Sequence, residues 1–122
     1  VRFFDPKTGV AGKVVQAGSA VFAVALDAEG KRAASGAADG TVKLWDVADA
    51  RLLVTLWSGA DDNWLSLAPE GYATGADATL SKAVWKAGGK PVVDAKLLAP
   101  LTDATQVGKA ALGQKLTEPM WK

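Results

Sequence analysis

The sequence repeats itself with a period of about forty residues, and this spacing constrains the fold more than any single motif. The aromatic residues Phe4, Trp45 and Trp85 occupy matching short segments and are spaced by 41 and 40 residues. The Glu-Gly dipeptides at 29–30 and 70–71 follow apolar alternating segments and lie 41 residues apart. Since these sets share one order and one spacing, we expect a structure built from copies of one unit.

Within one period the pattern is that of short strands separated by turns. The first segment, 21–27, is an apolar run with β-forming residues, the second, 32–37, consists mostly of small residues, and the Asp39-Gly40 dipeptide is typical of a hairpin turn. Four strands fill roughly 38 residues and leave no room for a helix. Four-stranded antiparallel units that repeat every 40–45 residues or so are typical of propeller blades. The predicted strands span 21–27, 32–37, 41–47 and 51–57.

The middle unit, residues 20–58, resembles a WD40 repeat. The resemblance is carried by three segments: Val21-Phe22-Ala23-Val24-Ala25-Leu26-Asp27-Ala28-Glu29-Gly30-Lys31, Ala34-Ser35-Gly36 and Asp39-Gly40-Thr41-Val42-Lys43-Leu44-Trp45-Asp46. The segment 63–72 resembles the final blade of certain bacterial WD-repeat proteins.

This resemblance implies an all-β fold, a partial WD40 β-propeller of four-stranded antiparallel blades followed by a short C-terminal α-helix. The implied units are 1–19 for the last two strands of a truncated blade, 20–58 for a complete blade, 63–100 for a divergent final blade and 101–122 for a short helix and tail.

The resemblance also implies a buried polar network in each blade. A buried Trp indole N–H needs a hydrogen-bond partner, and an Asp in a hairpin accepts backbone N–H groups. The loop before Val21, residues 16–20, lacks the His that WD repeats often carry there. The implied network residues are Ser35, Asp39 and Trp45 in the middle unit, and Thr74, Asp77 and Trp85 in the last.

The composition excludes several kinds of chemistry. The chain has no His and no Cys, so no Ser-His-Asp or Cys-His catalysis, haem-attachment motif or disulfide is available on it. A net charge of +1 argues against a basic nucleic-acid binder. Asp61 and Asp62 form a carboxylate pair, but their spacing matches no calcium loop and favours a solvated loop. We therefore expect no enzyme activity, no cofactor, no metal, no nucleic acid and no membrane span.

A short helix is predicted near the C-terminus. Thr102 is a good N-cap, and Asp103 favours the first turn. Apolar Ala104, Val107 and Ala111, with Ala110 or Leu112, form a weak helical face, and Gly113 is a plausible stop.

The number of units is too small for a closed ring. At about 41 residues per blade the chain holds two and a half blades, whereas propellers close with roughly four to eight. Three interpretations remain open. The chain is the C-terminal portion of a longer propeller, a segment that closes a ring as a homo-oligomer, or a different β protein.

The favoured function is a non-catalytic scaffold or protein-interaction segment that needs further blades. One alternative is a supporting propeller segment of a larger secreted bacterial redox protein with a c-type cytochrome domain. Another is a propeller that binds a small ligand. The bacterial resemblance favours a periplasmic or secreted location. The residues expected to contact a protein partner are Trp57, Trp64, Met120 and Trp121.

Overall fold

The structure, a computed structural model, describes residues 1–82, 86–87, 90–91 and 101–116. It is mostly β, with antiparallel sheets. The strands are β1 (Arg2–Phe4), β2 (Ala11–Val14), β3 (Val21–Leu26), β4 (Arg32–Ala37), β5 (Thr41–Asp46), β6 (Arg51–Ser58), β7 (Trp64–Leu67), β8 (Ala73–Gly75), β9 (Lys86–Ala87) and β10 (Lys90–Pro91). The helices are α1 (Asp77–Leu80) and α2 (Ala104–Ala111).

The four strands predicted for the middle unit are confirmed, each to within one residue at its ends. They form one antiparallel meander in the order β3-β4-β5-β6. The same sheet continues through β7 and β8, because β6 pairs with β7 from Thr55 opposite Leu67 to Ser58 opposite Trp64. The second unit and the start of the third therefore share one six-stranded sheet. The short helix α1 was not predicted.

The strand register repeats along the chain. In the β1–β2 ribbon Phe4 lies opposite Ala11, and in the β5–β6 hairpin Trp45 lies opposite Leu52. Trp45 lies 41 positions after Phe4, and Leu52 lies 41 positions after Ala11. The ladder irregularity precedes the aromatic residue in each hairpin. A second pair shows the same displacement: Arg2 with Val14, and Lys43 with Thr55.

The turns inside these hairpins are also equivalent. The carboxylates of Asp5 and Asp46 each accept the backbone N–H three residues later, at 3.3 and 3.0 Å. The left-handed backbone position is Gly9 in the first turn (φ 68°) and Ala50 in the second (φ 53°). A left-handed residue at the same point of both turns shows that the repeat extends to backbone conformation.

The β3–β4 and β7–β8 hairpins form a second equivalent pair. Gly30 and Gly71 both have positive φ, and each donates its N–H to the carbonyl three residues earlier, at 3.0 and 2.9 Å. The β7–β8 turn is one residue shorter. The period therefore changes from 41 to 40 at this turn.

The two faces of the six-stranded sheet are covered by different pieces of chain. Leu44 lies opposite Val54, whereas its neighbour Trp45 lies opposite Leu52, so Val54 and Trp45 belong to opposite faces. The Trp45 face packs against the β1–β2 ribbon and its linker, and the Val54 face packs against α2. The buried cluster on the Trp45 face consists of Val15, Ala17, Ala33 and Trp45. That on the Val54 face consists of Val54, Ala68, Tyr72, Leu101, Val107 and Ala110.

The predicted C-terminal helix is confirmed, but its N-cap is Asp103 and not Thr102. The Asp103 backbone is extended, and its carboxylate accepts the N–H groups of Thr105 (2.8 Å) and Gln106 (3.4 Å). A carboxylate satisfies two unpaired donors and also interacts favourably with the positive end of the helix dipole. The stop was predicted correctly, since Gly113 has φ 71° and follows the C-cap residue Leu112.

The helix buries a slightly different face from the predicted one. Gln106, Val107 and Ala110 are buried, whereas Ala104 is exposed and Leu112 is 58% exposed. Because only a narrow stripe of α2 contacts the sheet, Val107 and Ala110 provide most of its apolar contact.

Two glycines give a matched test of these backbone conformations. A Cβ added at Gly30 or at Gly108 meets no atom within 4 Å, so any effect of Ala comes from the backbone. Gly30→Ala should lower the free energy of unfolding by about 1–2 kcal/mol, because the left-handed region disfavours a Cβ. Gly108→Ala should raise it by about 0.5–1 kcal/mol, because Ala is the better residue inside a helix. Urea unfolding of both variants measures the two effects, and equal effects would contradict the turn geometry.

Candidate interaction surface

Ser35 and Trp45 form a buried hydrogen bond at the centre of the sheet. The Trp45 indole Nε1–H donates to Ser35 Oγ at 2.9 Å, and the two residues are 5% and 1% exposed. Adjacent strands bring them together, because Trp45 on β5 lies opposite Ala33 and Ser35 is two residues further along β4. The bond satisfies the one polar group of a ring that is otherwise packed among apolar residues.

Asp39 lies apart from this pair, in the β4–β5 hairpin turn. Its carboxylate accepts the Thr41 hydroxyl (2.7 Å) and the Thr41 backbone N–H (3.0 Å). These two hydrogen bonds favour the ionised carboxylate, and they lower the pKa of Asp39 below its usual value. Asp39 thus fixes the turn next to Gly40, which has φ 80°.

Lys43 ties the inter-unit linker to the sheet. Its ammonium group donates a hydrogen bond to the Ala17 carbonyl, in the 15–20 segment between β2 and β3. This segment lacks the His expected from the resemblance, and the Lys43 contact was not predicted from the sequence. Val15 and Ala17 in the same linker are buried, so polar and apolar contacts together hold the linker on the Trp45 face.

Of the network residues expected in the last unit, the structure describes Thr74 and Asp77. Thr74 on β8 lies opposite Ser66 on β7. The equivalent pair in the middle unit is Ala34 on β4 opposite Ala25 on β3. Thr74 is therefore placed like Ala34 and not like Ser35. Asp77 is the first residue of α1. Trp85 lies outside the described residues.

Two of the tryptophans expected to contact a partner, Trp57 on β6 and Trp64 on β7, lie on either side of the turn that joins these strands. Trp57 is 38% exposed and Trp64 is 44% exposed. The Trp57 ring covers Gly59, where an added Cβ would collide with it. Met120 and Trp121 lie outside the described residues.

Three exposed apolar side chains lie on strand β3, at one edge of the six-stranded sheet. Phe22, Val24 and Leu26 are 79%, 49% and 58% exposed. Beside them runs a groove of about 630 Å³ between β3 and the β1–β2 ribbon, with Val24, Leu26 and Phe4 in its lining. We call Phe22, Val24 and Leu26 the β3 edge. This strand was predicted from its apolar residues, but its exposure was not, because an apolar run is equally typical of a covered strand.

Ionisable side chains are dispersed over the described part of the chain. Among these residues no group of three or more His, Cys, Asp or Glu side chains lies close enough to hold a metal ion. None of the described helices is long and apolar enough to cross a membrane. No family model matches this chain, and no curated protein shows significant similarity to it.

Removing the Ser35 hydroxyl tests the buried bond. Ser35→Ala leaves the Trp45 N–H buried without its acceptor, which should lower the free energy of unfolding by about 1–3 kcal/mol. The exposed Ser58 is the matched control, since Ser58→Ala should change stability by less than about 0.5 kcal/mol. Urea unfolding of both variants provides the comparison, and equal effects would show that Ser35 does not stabilise the core.

The Asp39–Thr41 interaction predicts a pH dependence. A carboxylate whose pKa is lowered by folding stabilises the fold above its unfolded-chain pKa of about 3.9, and this contribution is lost as pH falls through the folded-state pKa. Thr41→Val removes the hydroxyl donor, so the stability difference from wild type should shrink from about pH 7 to about pH 2. Thr41→Ser keeps the donor and should follow the wild type. A difference that does not change with pH would contradict this assignment.

Proposed function

We propose that this chain is a non-catalytic scaffold segment of a WD-repeat propeller, which completes its fold and binds protein partners through surfaces that further blades extend. The observation that carries this proposal is the repeated strand register. The β1–β2 ribbon has the pairing of β5–β6, and the β3–β4 hairpin has that of β7–β8. The unit thus recurs as a three-dimensional element and not only as a sequence pattern.

The arrangement of the first two units supports the proposal further. The β1–β2 ribbon forms a separate sheet, and its Val1 and Phe3 pack against the cluster around Trp45 on the face of the second unit. Face-to-face packing of successive sheets is the arrangement that a propeller requires between neighbouring blades. The equivalent step from β6 to β7 is instead a hairpin within one sheet. The proposal therefore includes a rearrangement at residues 59–63 when further blades are present.

The short antiparallel pair of β9 and β10 agrees with this repeat. β9 and β10 are antiparallel, and Pro91 lies opposite Lys86. The equivalent pair in the β5–β6 hairpin, Arg51 opposite Asp46, lies 40 positions earlier in the sequence. In the described part of the chain this hairpin, or a short piece of it, thus occurs three times. In repeat proteins each added unit contributes its own stability and an interface with its neighbour.

Inserting one more unit tests the proposal. A second copy of residues 20–60 placed between Ala60 and Asp61 should fold as an additional repeat. The dependence of unfolding free energy on urea concentration should then increase in proportion to the added buried surface. Circular dichroism should show a matching increase in strand signal.

The control is an insert of the same composition in scrambled order. It should add no strand signal and leave the urea dependence unchanged, since a long unstructured loop is tolerated at small cost. If the true and scrambled inserts behave alike, the unit is not a repeat and the propeller proposal is wrong.

A further inference from the structure

The β4–β5 hairpin turn contains the single Asp-Gly dipeptide of the chain. Of all the Asp residues, Asp39 alone is followed by Gly, and the single Asn, Asn63, is followed by Trp. An Asp side chain can react with the backbone nitrogen of the next residue, and Gly is the most permissive neighbour because it has no Cβ to hinder the approach. Ala38, Asp39 and Gly40 are all exposed, so water has free access to the turn.

The reaction is a rearrangement of the backbone. The Gly40 nitrogen attacks Cγ of the protonated Asp39 carboxyl group. An N–Cγ bond forms, the Cγ–OH bond breaks, and the hydroxyl leaves as water with the proton of the Gly40 N–H. Water then opens the five-membered imide. Attack at Cγ restores Asp39, whereas attack at the former backbone carbonyl leaves isoaspartate, in which the peptide bond runs through Cγ.

The hairpin requires both residues of this dipeptide. Gly40 has φ 80°, in the left-handed region that favours Gly. Asp39 supplies the carboxylate that accepts the Thr41 backbone N–H (3.0 Å) and the Thr41 hydroxyl (2.7 Å). A turn built in this way therefore keeps a dipeptide that is reactive in an unfolded chain.

The same turn holds both reacting groups in other contacts. The Gly40 N–H donates to the Ala37 carbonyl at 3.1 Å. Both Thr41 donors bind Oδ1 of Asp39, and these hydrogen bonds to the ionised carboxylate lower its pKa. An ionised carboxylate has no hydroxyl group to lose and is the poorer electrophile. Ring closure therefore requires a protonated Asp39, which the two Thr41 donors disfavour.

We propose that the Asp39-Gly40 dipeptide is a site of spontaneous isoaspartate formation, and that the Thr41 hydroxyl suppresses the reaction in the folded chain. Isoaspartate inserts one extra carbon into the backbone at the turn that joins β4 to β5. The register of these two strands places Ser35 beside Trp45, so the modification acts on the centre of the sheet. This inference does not depend on the scaffold function proposed above.

Peptide mapping measures the reaction at this one position. Trypsin cleaves after Arg32 and Lys43 and releases the peptide 33–43, in which Asp39 is the only acidic residue. The isoaspartyl form has the same mass but a different chromatographic retention, and it accepts a methyl group from a protein-isoaspartate methyltransferase. The full chain is incubated at neutral pH below its unfolding temperature, with the synthetic peptide 33–43 as the reference that lacks the fold.

The hydroxyl of Thr41 is tested by two substitutions. Thr41→Val should form isoaspartate about tenfold faster than the wild type, the factor that corresponds to loss of one hydrogen bond to a charged group. Thr41→Ser keeps the hydroxyl and should match the wild type. The free peptide should react faster than all three chains, because it also lacks the hydrogen bond from Gly40 to Ala37.

Ser35→Ala controls for a general loss of stability. Ser35 lies in the same tryptic peptide, and its removal leaves the Asp39 contacts in place, so this variant should react at the wild-type rate. Circular dichroism before and after incubation checks that each variant stays folded.

The proposal is wrong if Ser35→Ala accelerates the reaction as much as Thr41→Val, because stability alone would then set the rate. It is also wrong if Thr41→Val and Thr41→Ser react equally fast, or if the wild type reacts as fast as the free peptide.

Discussion

The buried indole of Trp45 determines how the rest of the sheet is organised. A ring of this size contributes a large apolar surface, but its N–H cannot be left without an acceptor inside the protein. Ser35 on the neighbouring strand supplies that acceptor at 2.9 Å. The bond requires β4 and β5 to keep one register. A slip of one residue would turn Ser35 to the other face and leave the indole N–H unsatisfied.

The two faces of the sheet are covered by segments from opposite ends of the sequence. The N-terminal ribbon and its linker pack on the Trp45 face, and α2 packs on the Val54 face over β6. Each cover is small, so it protects only part of its face. Neither cover reaches the side chains of Phe22, Val24 and Leu26 on β3, which remain exposed.

Much of the local structure follows from the sequence, because residue alternation and turn residues act over short distances. Strands β3 to β6 were predicted to within one residue at each end, and the C-terminal helix was predicted together with its stop at Gly113. The choice of Asp103 over Thr102 as N-cap depends on backbone angles that two adjacent capping residues do not reveal. The three polar residues implied by the resemblance in the middle unit behave differently from one another. Trp45 and Ser35 form a buried hydrogen bond, whereas Asp39 makes its hydrogen bonds locally with Thr41.

The long-range arrangement was harder to predict. Whether β6 continues into β7 within one sheet depends on the conformation of residues 59–63, where Asp61 and Asp62 both adopt left-handed backbone angles. Non-glycine residues adopt this region infrequently, so composition gives little warning of it. Exposure of β3 is likewise a property of what the other segments cover. The contact of Lys43 with the linker joins residues 26 positions apart, beyond the range of any local pattern.

The meander topology has a consequence for the order in which the chain folds. Every ladder of the six-stranded sheet joins strands that are neighbours in sequence, so each hairpin forms by closing a short loop. Folding of such local pairs is fast compared with docking of distant segments. The ribbon and α2, which arrive from the two ends, are therefore the late events. During synthesis the strands of the sheet would leave the ribosome before α2 does. Until α2 docks, the nascent chain would expose Val54 and its neighbours to chaperones.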